Sequence, residues 1–180
     1  VIAEPTDLEV VRAHKGVVRF HLQVNGKAAH SAKPHLGVNA IAQMARLIAR
    51  IEDEILPQYA EQSYPLLGGP TLNVGTIAGG AQVNFVPDQC RIAVDCRLIP
   101  GQTTESVLAE FNAVIDRASA ADPTLAAEIE DPFFICTALG TAEESAALVR
   151  EACATPREGV TLGRHPGADR GVGGARRGAL

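Results

Sequence analysis

Residues 15–25 read KGVVRFHLQVN, and residues 26–40 continue as GKAAHSAKPHLGVNA. The apolar side chains of the first stretch alternate with polar ones: Val18, Phe20, Leu22 and Val24. Period two over this length predicts a strand with one buried face. The second stretch places His30 among small residues, and Asn39 can cap a following helix. We therefore expect a loop that holds one side chain, the His30 imidazole, at a fixed place outside the core.

The rest of the chain alternates between helical and extended patterns. Apolar residues recur at spacings of three and four in a stripe that predicts a helix from Asn39 to about Ile55, ended by Pro57: Ile41, Met44, Ala45, Ile48, Ile51 and Ile55. The further predicted elements are strands at 71–77 and 89–99, a helix capped by Thr103 or Thr104, and a short strand at 125–129. The order strand, helix, strand, strand, helix, strand predicts an α+β, ferredoxin-like fold. Its four-stranded antiparallel sheet would carry both helices on one face, and a C-terminal helical stub would follow over residues 141–154.

Composition limits the possible functions. The 180 residues can bury one core, 46% of them are apolar, and 4% are aromatic, so the core should be aliphatic. The net charge of −5 and the scattered basic residues disfavour nucleic-acid binding. No apolar run is long enough to span a bilayer. The four cysteines lack metal-binding spacing, and we expect buried, reduced thiols and a cytoplasmic protein. They are Cys90, Cys96, Cys136 and Cys153.

No motif in the chain marks a complete active site. The five histidines lack the spacing of zinc ligands, and the Glu143–Glu144 pair is better explained as a solvated helix start. His30, Asn84 and Arg97 offer an imidazole, an amide and a guanidinium. These groups can hold a polarised carbonyl and a carboxylate. Their spacing along the chain does not show that they converge.

Several ordered motifs resemble one enzyme family. The motifs are Glu4-Pro5-Thr6, His14-Lys15-Gly16, Gly26 to Ser31, Gly37 to Ile41, Asn73-Val74-Gly75, Gly79-Gly80, Asn84 to Asp88, and Asp95-x-Arg97-x-x-Pro100-Gly101. Together they resemble the lid, or dimerisation, domain of the zinc amidohydrolases, which include acetylornithine deacetylase, succinyl-diaminopimelate desuccinylase, aminoacylase and carboxypeptidase G. The resemblance spans roughly residues 3–131.

The resemblance implies residue roles and a domain plan. The position of His30 would stabilise the oxyanion in the partner subunit's active site, and the positions of Asn84 and Arg97 would contact substrate. Two zinc (or cobalt) ions would belong to a catalytic domain that this chain lacks, so the chain itself would bind none and be inactive alone. Residues 1–13 would be a linker from that domain, 14–131 the lid, 132–156 a stub of the catalytic domain, and 157–180 an irregular Gly/Arg-rich tail. His165 would not be a ligand.

The implied partners are a second copy of the chain and a small N-acyl amino acid or similar amide, with no nucleic acid and no membrane. The alternative is a non-enzymatic ferredoxin-like module for dimerisation, small-molecule regulation or RNA binding. An RNA-binding sheet would need stacking aromatics on its open face, but the central strands offer Arg19, His21, Asp95 and Arg97 there instead, which counts against that alternative.

Overall fold

The computed structural model describes residues 12–141 and Ser145. The predicted helix at 141–154 lies outside these residues except at its first position and Ser145. Also outside the described residues are most of the predicted 1–13 linker, the tail at 157–180, Cys153 and His165. The described helices include none long and apolar enough to cross a membrane.

The described residues form an α+β structure, as predicted. In chain order the strands are β1 (Ala13–His14), β2 (Gly16–Asn25), β3 (Ala29–His30), β4 (Thr71–Gly79), β5 (Phe85–Val86), β6 (Gln89–Leu98), β7 (Ala126–Ile129), β8 (Phe134–Cys136) and β9 (Leu139–Gly140). The helices are α1 (Ala40–Ala60) and α2 (Thr104–Ala121), and a 3-10 turn spans Pro34–Leu36. The Asn39 side chain caps α1, and Thr103 forms a capping box with Ser106 at the start of α2.

The main sheet is antiparallel, runs β4-β6-β2-β7, and is compatible with a ferredoxin-like fold. Over the described residues it has five strands, whereas the sequence predicted four. The extra strand β8 pairs with residues 17–19 of β2, on the same edge that β7 occupies at residues 22–25. Because β2 has ten residues and β7 only four, one half of that edge would otherwise be left without backbone partners.

Both helices pack on one face of this sheet. The alternating residues of β2 and β6 that point to that face are buried with the inner stripes of α1 and α2, and they form one aliphatic core around an edge-to-face pair of Phe20 and Phe111 at 5.0 Å. The opposite face carries half-buried Arg19, His21 and Arg97, as the alternation predicted.

Two predictions about α1 were wrong. Pro57 does not end the helix but lies inside its last turns, which continue to Ala60. Buried Tyr59 attaches the C-terminal end of α1 to α2, because its hydroxyl donates a hydrogen bond to Glu110 Oε2 at 3.0 Å. Ile41 and Ala45 were predicted to be inward-facing but are exposed, and Leu47 is buried instead.

Candidate functional site

The loop that carries His30 is closed at its base by main-chain hydrogen bonds. Lys27 and Val38 exchange two bonds, each of 2.9 Å, across the neck of the loop. The Gly26 amide donates to the Asp88 carbonyl at 2.7 Å, and the Ala40 amide donates to the Pro87 carbonyl at 2.9 Å. The loop is therefore fixed both to itself and to the segment that leads into β6.

Two glycines make this closure possible. A Cβ atom on Gly26 would lie 2.2 Å from the Val38 carbonyl oxygen, and one on Gly37 would lie 2.6 Å from the Lys27 carbonyl oxygen. Neither separation is compatible with an unchanged backbone, because real Cβ atoms do not come so close to a carbonyl. Glycine at both positions thus allows the two sides of the neck to meet.

The structure brings His30 and the Asn84 segment together. Strands β3 and β5 form a short antiparallel pair in which His30 lies opposite Phe85. The next residue, Ser31, donates its amide to the Asn84 carbonyl at 2.9 Å. The His30 and Asn84 side chains are both exposed, so each is available to a ligand.

The His30 ring has two further contacts. Its Nδ1 atom accepts a hydrogen bond from the Ala32 amide at 3.1 Å, and its centroid lies 5.8 Å from that of the Phe85 ring with 68° between the two ring planes. Edge-to-face aromatic contacts of this kind contribute about 0.5–1.5 kcal/mol. Phe85 was not among the residues predicted for the site, although its place next to Asn84 was a usable signal in the sequence.

Arg97 lies elsewhere. It is near the end of β6, eight residues beyond Gln89, whereas the His30 loop is attached at the strand's beginning. At about 3.3 Å per residue, roughly 25 Å of strand separates the two regions. The structure therefore joins two of the three predicted site residues within one chain and does not join the third.

Arg97 belongs to a charged row on the open face of the sheet. Asp95 accepts from Arg97 Nε at 2.7 Å and from Arg19 Nε at 2.5 Å. Partial burial alone would raise the pKa of the Asp95 carboxyl, but its hydrogen bonds to both arginines outweigh that effect and lower its pKa. Two guanidinium groups share one carboxylate, so the row retains one net positive charge.

Aromatic rings also lie on this face, which the sequence analysis did not predict. Phe133 stacks on the His21 ring at 4.6 Å, and Arg19 lies over the Phe134 ring at 5.1 Å. Both phenylalanines follow β7 in the apolar run 133–136, whose length could have indicated the extra strand.

The two metal ions implied by the resemblance do not fit the residues seen here. Within residues 12–141 and Ser145, no three His, Cys, Asp or Glu side chains come close enough together to hold an ion.

Comparisons with known proteins agree with this fold and domain type. Residues 12–123 match the family model described as "Peptidase dimerisation domain", and the chain belongs to that family. It is 40% identical over 109 residues to acetylornithine deacetylase of Myxococcus xanthus, an alignment that covers 59% of this chain and 29% of the relative. It is 38% identical over 114 residues to a protein of Ajellomyces dermatitidis named "Probable carboxypeptidase", covering 59% and 25% respectively. The chain thus spans less than a third of these relatives.

Solved structures share the fold. An aminobenzoyl-glutamate utilisation protein from Klebsiella pneumoniae superposes with a TM-score of 0.56 and 24% identity, covering 79% of this chain and 34% of that one. An amidase of the hydantoinase/carbamoylase family from Burkholderia phymatum gives a TM-score of 0.62 at 16% identity, covering 79% and 34%.

Proposed function

We propose that the chain is the lid and dimerisation domain of a zinc-dependent amidohydrolase that hydrolyses N-acyl amino acids or similar small amides, and that it is catalytically incomplete alone. The family and the deacetylase and carboxypeptidase relatives support this proposal. The observation that carries it is the exposed His30 on a loop clamped at both sides. A cytoplasmic location is part of the proposal and agrees with the free thiols of Cys90, Cys96 and Cys136.

In this proposal His30 donates a hydrogen bond to the oxyanion that forms when water attacks the amide. Asn84 contacts the same end of the substrate, and Arg97 pairs with the substrate carboxylate. A small N-acyl amino acid cannot bridge roughly 25 Å along β6. We therefore propose that each active site takes His30 and Asn84 from one subunit and Arg97 from the other.

The proposed homodimer has a suitable surface at β4. This strand ends the sheet of described residues, and its outer edge offers backbone groups for pairing with another strand. A bulge between Val74 and Thr76 turns Ile77 to the helix side of the sheet, opposite Ile92, where it is 57% exposed. Ile41 of α1 lies next to this end of β4 and is also exposed.

Light scattering tests the dimer directly on the 180-residue chain. We expect a dimer for the wild type and a monomer for Ile77→Lys. Ile135→Lys is the matched control, because Ile135 is 54% exposed but lies on the opposite edge of the sheet. A monomeric wild type, or equal loss of the dimer in both variants, would contradict the proposed surface.

A chimera tests the catalytic role. Residues 12–123 would replace the corresponding segment of the Myxococcus xanthus deacetylase, and turnover of acetylornithine would be measured. Loss of one oxyanion donor should lower kcat about 100- to 1,000-fold in His30→Ala. His35→Ala, an exposed histidine of the same loop, should have little effect. Equal activity of both variants would favour a non-enzymatic module.

Mixing two inactive chimeras tests the sharing of sites. Random dimers of His30→Ala and Arg97→Gln subunits should regain about a quarter of the wild-type sites if each site uses both subunits. No recovery, in a mixture shown to exchange subunits, would mean that one chain supplies both residues. An Arg97→Gln chimera that is active before mixing would mean that Arg97 has no such role.

A further inference from the structure

We propose that Phe85 is a positioning residue that, together with the Ala32 amide, holds His30 in the neutral tautomer with its proton on Nε2. This inference rests on the proposed function for its purpose, but its evidence is the geometry of β3, β5 and the turn that follows His30.

Hydrogen-bond chemistry assigns the tautomer. A neutral imidazole has one donor nitrogen and one acceptor nitrogen. The Ala32 amide can only donate, and its nitrogen lies 3.1 Å from Nδ1. A proton on Nδ1 would place two donors against each other, so Nδ1 is the acceptor and the proton lies on Nε2.

The turn after His30 uses three consecutive amides to fix this geometry. The Ser31 amide donates to the Asn84 carbonyl, and the Lys33 amide donates to the His30 carbonyl at 2.8 Å. The Ala32 amide between them is directed to the ring of His30. Side-chain acceptors that bind the amide two residues further on stabilise turns in this way.

Phe85 limits the rotation of the ring. It lies directly across the β3–β5 pair from His30, and the two rings meet edge to face. Rotation of the imidazole about its side-chain bonds would break both this contact and the bond from Ala32. Within the described residues Nε2 has no hydrogen-bond partner, so its N–H is the ring's single donor and remains available to a ligand.

Nitrogen NMR on the 180-residue chain tests the assignment at alkaline pH, where imidazoles are neutral. The His30 signals would be identified from their loss in His30→Ala. We expect ring nitrogen shifts of a single Nε2–H tautomer and a scalar coupling between the Ala32 amide nitrogen and Nδ1. Averaged shifts or an absent coupling in the wild type would overturn the proposal without any variant.

Phe85→Leu tests the positioning role. It should average the two ring nitrogen shifts and abolish the coupling. Phe134→Leu is the matched control, because the two phenylalanines are 46% and 45% exposed and Phe134 contacts Arg19 instead. Unchanged His30 signals in a folded Phe85→Leu chain would overturn the role of Phe85.

In the chimera, the same change should lower kcat about two- to tenfold, the range expected for one aromatic contact. The two proposals can fail separately. A fixed Nε2–H tautomer with no effect of His30→Ala on turnover would refute the catalytic role only. A mobile ring with a large effect of His30→Ala would refute the positioning only.

Discussion

Replacing Gly26 by alanine should destabilise the His30 loop and lower the free energy of unfolding, and the contacts of Gly26 give the size of this loss. The added Cβ would lie 2.2 Å from the Val38 carbonyl oxygen, which belongs to the backbone and cannot rotate away. Relief requires Lys27 and Val38 to separate, with the loss of two 2.9 Å hydrogen bonds. At about 0.5–1.5 kcal/mol each, the loss is about 1–3 kcal/mol. Alanine offsets about 0.4–1 kcal/mol of this loss by restricting the unfolded chain, which leaves a net loss between about 0 and 2.6 kcal/mol with a midpoint of about 1.3 kcal/mol.

The free energy of unfolding from urea titration, at one fixed protein concentration, measures this loss. Hydrogen exchange of the Lys27 and Val38 amides shows whether the change is local. Gly75→Ala is the control, because its Cβ would be no closer than 3.5 Å to the Asn73 side chain. If Gly26→Ala unfolds at the same urea concentration and its two amides keep their protection, the assigned role of the neck is wrong.

Three further results are expected. Asp95→Asn should lower the melting temperature at pH 7, because a carboxyl with a lowered pKa stabilises the fold above its ordinary pKa. This stabilisation is lost as the carboxyl is protonated, so below pH 4 the melting temperature of the variant should decrease less with pH than that of the wild type. Melting curves between pH 7 and 2 would show both effects. Pro57→Ala should raise the free energy of unfolding by about 1–2 kcal/mol, since proline removes an amide donor inside α1; no gain in urea titration would contradict this. Cys136 was expected to be buried but is exposed, and it should react with a thiol reagent in the native state. Buried Cys90 and Cys96 should not, since burial raises the pKa of Cys96 to about 12; peptide mapping would distinguish them.

Local patterns predicted the elements well. The alternation from Val18 to Val24 gave β2, and the capping residues Asn39 and Thr103 gave the starts of both helices. These signals work because one buried face and one cap are properties of a few neighbouring residues. Pro57 was misread for the opposite reason, since a distant contact between Tyr59 and Glu110 outweighs the local preference.

The non-local features could not be read from spacing. The apolar run 133–136 could have indicated a strand, but the pairing of β8 with β2 beside the short β7 depends on how far separate strands extend. His30, Asn84 and Arg97 were candidates by residue type, but their positions in the fold follow from strand register. The β3–β5 pairing brings the first two together, and the length of β6 carries the third away.

The clamp between the His30 loop and the start of β6 limits how the imidazole can travel. The amides of Gly26 and Ala40 donate to the carbonyls of Asp88 and Pro87, and β6, which follows these two residues, carries Cys90 and Ile92 into the core. If the His30 loop closed over a ligand by bending at its base, each closure would have to break those hydrogen bonds. In the proposed function the loop would therefore move together with the sheet to which it is bonded, as a fixed projection on the surface of that sheet.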